Sequence, residues 1–544
     1  MSQYSASKDP TNTYLDHKEV VPILIGLMLG LFLAALDQTI VATAIRTIGD
    51  DLQGLSIQAW ATTAYLITST ITTPLYGKLS DIFGRKPLFI WAISIFIVGS
   101  ALSAFATSMY QLAVFRAIQG LGAGGLFTLA LAIIGDIVPP RERSKYQGYF
   151  IAVFGSSSVI GPIVGGFLAG QESILGLTGW RWVFFVNVPI GLVALFVVGR
   201  TLHIPNFQRV NHAIDWWGAL SLSAGLVPLL IVAQEGRTWG WTSSKAIICY
   251  IIGVVSLLLF VYFEKRMQDE ALLPLRLFKD KTFSLIAVIG VITGAGMFGG
   301  LAMLPLYLQI VGGSSPTKAG LELLPLTFGI MTGSIVSGRT ISKLGKYKML
   351  PVLGTIFLTI SLFLMTTFNA DTSYWWIAFL SYLFGVGLGG VLQPTVIAVQ
   401  NAVAMKDLGV ATSSVTLFRQ LGATVGTAAF ISILFGKVGK ETSDAFAASV
   451  SQPEYQQALA DPANAQTVAL LQAAQSSPNG FDDTSWLASA NRTLIHPILE
   501  GFANSMSTVF LIGAVVVAFS IIFAVMLPNN KLKERGQDAA SAAH

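Results

Sequence analysis

Gly77-Lys78-Leu79-Ser80-Asp81-Ile82-Phe83-Gly84-Arg85-Lys86-Pro87 joins two apolar runs through a turn with a glycine at each end and one acid among bases. Glycine tolerates the backbone of a helix-ending turn and lets it lie close against a neighbouring helix. Asp81 suits a helix N-terminus, and Arg85 is placed to pair with an acid such as Asp136. A charged loop with incidental glycine is the bland reading of the same stretch.

Outward from this turn the chain is apolar in both directions. Of its 544 residues 53% are hydrophobic and 11% charged, against about a quarter charged in soluble domains. A bilayer core about 30 Å thick takes roughly 20 apolar residues per helix, and such runs lie near 20–42, 58–77, 88–106, 110–135, 147–170, 181–200, 214–233, 244–263, 283–310, 319–341, 349–368, 374–401, 410–436 and 501–527. This predicts an all-α integral membrane protein of fourteen spans arranged six, two, six: a tail 1–19, a first six-helix bundle 20–200, two linker helices 214–263, a second bundle 283–527 and a tail 528–544. The first run is longer than a signal-peptide core and has no clean cleavage site, so it is read as retained. Lys and Arg concentrate in the even-numbered connections, which places both termini in the cytoplasm of a plasma-membrane protein. The net charge of +5 then follows from cytoplasmic loops and implies no nucleic-acid partner. The single cysteine, Cys249, excludes an internal disulfide. Residues 439–500 form a polar insert outside, read as a small helical cap or a partly disordered segment. Its Asn491-Arg492-Thr493 matches the N-glycosylation pattern, a motif short enough to arise often by chance.

The turn recurs in weaker form. Gly338-Arg339-Thr340-Ile341-Ser342-Lys343-Leu344-Gly345-Lys346 matches Gly77, Gly84 and Arg85 with Gly338, Gly345 and Lys346 at one offset, with Ser342 in place of Asp81. Two related halves are a common transporter plan. The first copy resembles the signature loop of the major facilitator superfamily, whose members alternate access by rocking two pseudo-symmetric six-helix bundles around a central cavity. The resemblance implies a conformational latch made of Gly77, Asp81, Gly84, Arg85, Lys86 and Asp136.

Arg116 stands inside span four, where a cation is costly unless it is paired, faces a cavity or snorkels to the surface. Its stretch resembles the superfamily's span-four arginine motif, implicated in proton transfer. In span one, Asp37 is a carboxylate among apolar residues. Burial makes such a group hold its proton more tightly and a nearby cation makes it hold less tightly, so Asp37 facing Arg116 can load and release a proton; a purely structural ion pair is the other reading of the two residues. With span one ending near residue 42, Asp37 is expected about one and a half turns from its outer end. In span five, Gly155, Gly161, Pro162, Gly165 and Gly166 combine small residues that permit close helix approach with a proline that bends the helix. At this position they resemble the motif that marks exporters. Glu322 is either a substrate or coupling acid or a solvated interfacial one. Gln38, Gln119, Gln393, Arg419 and Gln420 are cavity candidates, and Arg419 in mid-span faces the cavity or a partner acid.

The six-two-six layout, Leu36-Asp37-Gln38-Thr39-Ile40-Val41, and Trp180-Arg181-Trp182-Val183-Phe184-Phe185-Val186-Asn187-Val188-Pro189 resemble the fourteen-span drug:proton antiporters of the EmrB/QacA type. Where that pattern has Asn-Val-Ala-Leu-Pro, this chain has Ala42-Thr43-Ala44-Ile45-Arg46. The resemblance implies export of lipophilic, cationic drugs against protons, without cofactor or metal, and a role in antibiotic resistance. Membrane lipid, protons and small amphipathic substrates are the expected partners; the oligomeric state stays open, with a monomer compatible. No Gly-x-x-x-x-Gly-Lys-[Ser/Thr] stretch exists to bind ATP. One charge falling through 100 mV supplies about 2.3 kcal/mol, roughly a fifty-fold gradient per proton. Export of one endogenous metabolite, lipid or siderophore is the rival within the transporter class. A lipid enzyme or a non-transporting sensor is the rival outside it, and His17, His203, His212, His496 and His544 are scattered without ligand spacing.

Overall fold

The computed structural model describes residues 17–138, 140–203, 215–403, 407–476 and 484–529. Among these the chain is helical. The long helices are α1 (His17–Asp51), α2 (Ala59–Phe83), α3 (Arg85–Ala104), α4 (Met109–Ile137), α5 (Pro140–Ala169), a broken pair α6 (Trp182–Phe185) and α7 (Asn187–Thr201), α8 (Trp216–Trp239), α9 (Ser244–Met267), α10 (Lys281–Leu306), a second broken pair α11 (Pro316–Glu322) and α12 (Leu324–Leu344), α13 (Met349–Met365), α14 (Tyr374–Ala402) and α15 (Leu408–Ser449). Two short helices, α16 (Pro453–Ala460) and α17 (Ala465–Ser476), precede α18 (Arg492–Val525). Among the described residues, eleven helical stretches are long and apolar enough to cross a membrane, and Gly155–Ala169 and Met349–Met365 are shorter apolar helices.

The starts of these helices are written in local chemistry. Ser108, Asp215, Ser243, Asp280, Ser315 and Asn491 each accept a hydrogen bond from a backbone N–H of the first turn, satisfying donors that a helix start leaves unpaired. Proline explains the breaks, because it has no N–H to continue the ladder. Pro189 cannot donate to the carbonyl of Phe185, and the single span expected at 181–200 divides at Val186. Pro325 divides 319–341 at Leu323 in the same way. After Pro305 the last turn of α10 widens into a π-turn, Tyr307–Val311, closed by Gly312 N–H donating to Tyr307 O at 2.9 Å.

Matching helices pack alike in the two halves. α2 packs on α4 and α12 on α14; α1 on α5 and α10 on α15; α3 on α4 and α13 on α14. The repeated turns correspond as well: Gly84 ends α2 at φ 100° and Gly345 ends α12 at φ 63°, both left-handed conformations that favour glycine. α8 packs on α9 and touches α2 and α15, while α9 leaves Ile251, Leu258 and Tyr262 exposed, as a lipid-facing helix does.

Two expected boundaries are corrected. α1 runs on to Asp51 rather than ending near 42, so Asp37 sits mid-helix and Arg46, beyond the expected end of the span, is a buried helical residue. The insert is smaller than 439–500, because α15 continues to Ser449 and α18 begins at Arg492. Between them lie α16, α17 and a short turn at Ser485–Ala488, and the Asn491 side chain is engaged, accepting from Thr493 N–H at 2.9 Å and donating to Asn464 at 3.0 Å.

The halves meet at the end of the bundle that carries this insert. Gln309 donates to Thr43 O at 2.9 Å and Thr317 to Gly166 O at 2.9 Å. Arg46 donates to Gln309 O and, through Nη2, to Thr484 O at 2.9 Å. Nearer the middle, Thr70 of α2 donates to Gln420 of α15 at 3.1 Å.

Candidate functional site

Asp37 on α1 is fully enclosed, and four groups from three other helices converge there. Arg116 Nη1 lies 2.5 Å from Asp37 Oδ2, Gln119 Nε2 lies 2.9 Å from Oδ1 and Asn187 Nδ2 lies 2.8 Å from Oδ1. Ser100 Oγ accepts from Asn187 at 3.0 Å and donates to Phe184 O at 2.9 Å. The break at Val186 therefore brings Asn187 to the carboxylate while Ser100 ties α3 to the Phe184 carbonyl beside the break. Arg116 is 1% exposed. Its Nε donates to Ala61 O at 3.1 Å, its Nη1 to Gln119 at 2.6 Å, and its guanidinium lies 4.3 Å from the centre of the Tyr65 ring. A buried ion pair is costly to break on one side only, and here each partner has further contacts of its own.

Close packing holds this constellation. Gly120 and Gly124 of α4 lie against the backbone of Tyr65 and Ser69 in α2, where any side chain would collide. Several hydroxyls of α2 are turned back to its own carbonyls, as Thr68 to Ala64 at 3.1 Å and Thr73 to Ser69 at 2.7 Å, and Thr68 also reaches Ala117 O of α4 at 2.8 Å.

The glycines of α5 also serve contact. Gly161 faces Thr39, and a side chain on Gly165 would stand 2.6 Å from Ile40 O, both on α1. Gly166 abuts the backbone of Pro316, and Gly320 of α11 abuts the carbonyl of Pro162. Gly155 stands more openly beside Met331 of α12. This stretch thus packs on α1 within its half and on α11 across the halves.

At the opposite end, Arg85 Nε donates to Asp136 Oδ2 at 2.8 Å, and its Nη1 reaches Gly77 O at 3.4 Å and the Ser80 hydroxyl. Lys86 donates to Gly199 O of α7 at 2.8 Å. The Asp81 side chain lies outside the described residues.

Other candidates separate from the cluster. Gln119 is enclosed with Asp37 and does not line open space. Gln38 is half-buried, next to the pair along α1. Gln393 lies against Gly338. Glu322 ends α11, accepts from Ser314 at 2.7 Å and faces Lys318 at 3.6 Å, so it is engaged at the insert end. Arg419 is half-buried on α15 and has no ion pair or hydrogen bond among the described residues.

Several groups escaped the sequence reading. Asn187 and Tyr65 carry no spacing relation to Asp37, although Asn187 stands within a quoted motif. Arg276 and Asp407 form a two-pronged pair, 2.7 Å at each contact, that ties the approach to α10 to the start of α15. Arg46 bonds Asp50 at 3.4 Å and Thr484 Oγ1 at 3.1 Å; its place in the sequence motif was the available signal.

The profile of the Major Facilitator Superfamily matches residues 27–427. The chain is 31% identical over 534 residues to the Multidrug transporter protein MdtP of Bacillus subtilis (strain 168), covering 96% of each chain. It is 30% identical over 512 residues to Multidrug resistance protein 3 of the same organism, covering 94% of this chain and 96% of the relative. Among solved structures, a bacterial homolog of the human lysosomal transporter Spinster, in an inward-facing and unoccupied conformation, matches with a TM-score of 0.64 at 15% identity over 94% of this chain and 98% of that one. That likeness is one of fold alone. A helical membrane bundle with two alike halves, matched by this profile over most of its length, makes the chain a member of the Major Facilitator Superfamily, a multi-pass membrane transporter and not an enzyme.

Proposed function

We propose that the chain exports lipophilic compounds in exchange for protons, as a fourteen-span antiporter of the EmrB/QacA type in the cell membrane with both termini cytoplasmic. The observation that carries this reading is the enclosed Asp37–Arg116 pair. A carboxylate held by a cation and two amides can stay ionised in a low-dielectric interior. When it takes a proton it releases Arg116, and the contacts between helices of the first bundle change. A change of that kind, made in a packed bundle, biases it between discrete arrangements.

Support for the span count and for domains at 20–200, 214–263 and 283–527 comes from helix in every expected range and from the matched packing of the halves. Support for export comes from multidrug relatives along almost the whole chain and from the close approach of α5 to α11. Contacts between the halves at the insert end fit a state open to the cytoplasm; Arg85–Asp136 is already formed in it, within the first half, and fits a prepared surface that latches onto the second half in the opposite swing. A cationic cargo receives less support, because Asp37 and Glu322 both have protein partners.

The test uses proteoliposomes with inside-out transporter, an imposed proton gradient and the neutral fluorescent probe N-phenyl-1-naphthylamine, with proton counterflow followed by internal pyranine. Wild type is expected to move probe and protons together; Asp37→Asn is expected to bind the probe and move neither. Equal transport by the two proteins would make Asp37 structural and remove the coupling reading.

A further inference from the structure

We infer that Arg419 is a recognition site for an acidic group on the transported compound, so that the favoured cargo is an amphipathic carboxylate or sulfonate rather than a cation. The inference rests on the export reading above and supplies the charge of its substrate.

Arg419 stands well inside α15, which begins at Leu408. Ala423, one turn further on, is buried in the apolar core of the first bundle. Residues four apart share a helix face, so Arg419 lies on the side of α15 that meets the first bundle. Its neighbour Gln420 accepts a hydrogen bond from Thr70 of α2 at 3.1 Å. Thr70 is five residues beyond Tyr65, which places Arg419 about 7–8 Å along the bundle from the Asp37–Arg116 pair. α10 presents Gly290 and Gly294 to the Arg419 backbone, which seats α15 firmly.

The other cations of the described interior have protein partners. Arg116 has Asp37, Arg46 has Asp50 and Arg85 has Asp136; Arg419 has no hydrogen bond, ion pair or ring contact among the described residues. Asp81, whose side chain is not described, is eleven residues from Thr70 on α2, about 16 Å along the axis and beyond the reach of an arginine. A guanidinium at bilayer depth is expensive to leave unpaired, and its planar fork suits a carboxylate or sulfonate in two-point contact. The missing partner is therefore the ligand. Energetics agree: an anion leaving and a proton entering both move charge down a membrane potential that is negative inside, each contributing about 2.3 kcal/mol per 100 mV.

Binding to protein in nanodiscs tests this with two probes on one aromatic scaffold, the anion 1-anilinonaphthalene-8-sulfonate and the neutral N-phenyl-1-naphthylamine, empty nanodiscs giving the lipid background. Wild type is expected to prefer the anion by about ten- to a hundredfold, the worth of a charge-assisted contact. Arg419→Gln should lose that preference and keep neutral binding; Arg419→Lys should keep part of it. No anion preference in wild type, a preference that survives in Arg419→Gln, or an Arg419→Lys protein that folds with no preference while Arg419→Gln does not fold would each overturn the assignment. Because binding needs no gradient, Asp37→Asn should retain the preference, so failure of proton coupling and failure of this site read out separately.

Discussion

Arg116 must remain in place through two charge states of its neighbour. While Asp37 is ionised the pair is neutral. Once Asp37 is protonated, a nearly inaccessible guanidinium retains Gln119, the Ala61 carbonyl and the faces of Tyr65 and, more distantly, Phe184. The titratable groups facing Asp37 among the described residues are Arg116 of α4 and Tyr65 of α2; the other polar groups there, Gln119, Asn187 and Ser100, are neutral. A desolvated cation over an aromatic ring is worth about 2 kcal/mol, and the unpaired cation draws on it most. Tyr65→Leu therefore loosens the hold on the guanidinium, and gradient-driven uptake falls by up to about thirtyfold. Tyr65→Phe keeps the ring and keeps the uptake. Proteoliposome uptake under an imposed proton gradient measures both, and unchanged uptake in Tyr65→Leu reduces the ring to packing.

For single elements the decisive feature is how closely α5 approaches its neighbours. Gly166 meets the Pro316 backbone with no space for a side chain, and overpacking costs about 1–3 kcal/mol. Gly166→Leu is expected to favour opening at the insert end by roughly five- to a hundredfold in population. Spin labels at Glu172 and Trp375, exposed positions in the two halves, report this as a longer distance by double electron–electron resonance. Gly155→Ala, where Met331 stands at 3.9 Å, leaves the distance unchanged.

Across the whole molecule, closure at the insert end joins three distant segments. Arg46 and Asp50 of α1, Gln309 beyond α10 and Thr484 of the insert share one hydrogen-bonded cluster, with Thr484 N–H donating to Asp50 at 2.8 Å. Removing one partner of a buried pair costs about 3–5 kcal/mol. Arg46→Ala is thus expected to lower the Tm, lengthen the same spin-label distance and raise hydrogen exchange at residues 484–491; unchanged exchange there would separate the insert from closure.

Membrane residence, helix ranges and the repeated turn were legible in the sequence because each depends on local properties: apolar run length, loop charge, glycine and proline. Asp37 and Arg116 were legible as well, since an ionised side chain in an apolar run stands out wherever it falls. Span one was cut short because Arg46 and Asp50 look like a loop until each is seen to have a partner hundreds of residues away. Tyr65 and Asn187 were invisible for the complementary reason: an aromatic and an amide are ordinary residues, and only the α2–α4 approach and the break at Pro189 bring them to the pair. Which charges find partners is likewise a tertiary property. The sequence by itself determined that charges lie inside the membrane; three-dimensional packing decided that Asp37 is answered within the protein while Arg419 has no ion pair or hydrogen bond among the described residues.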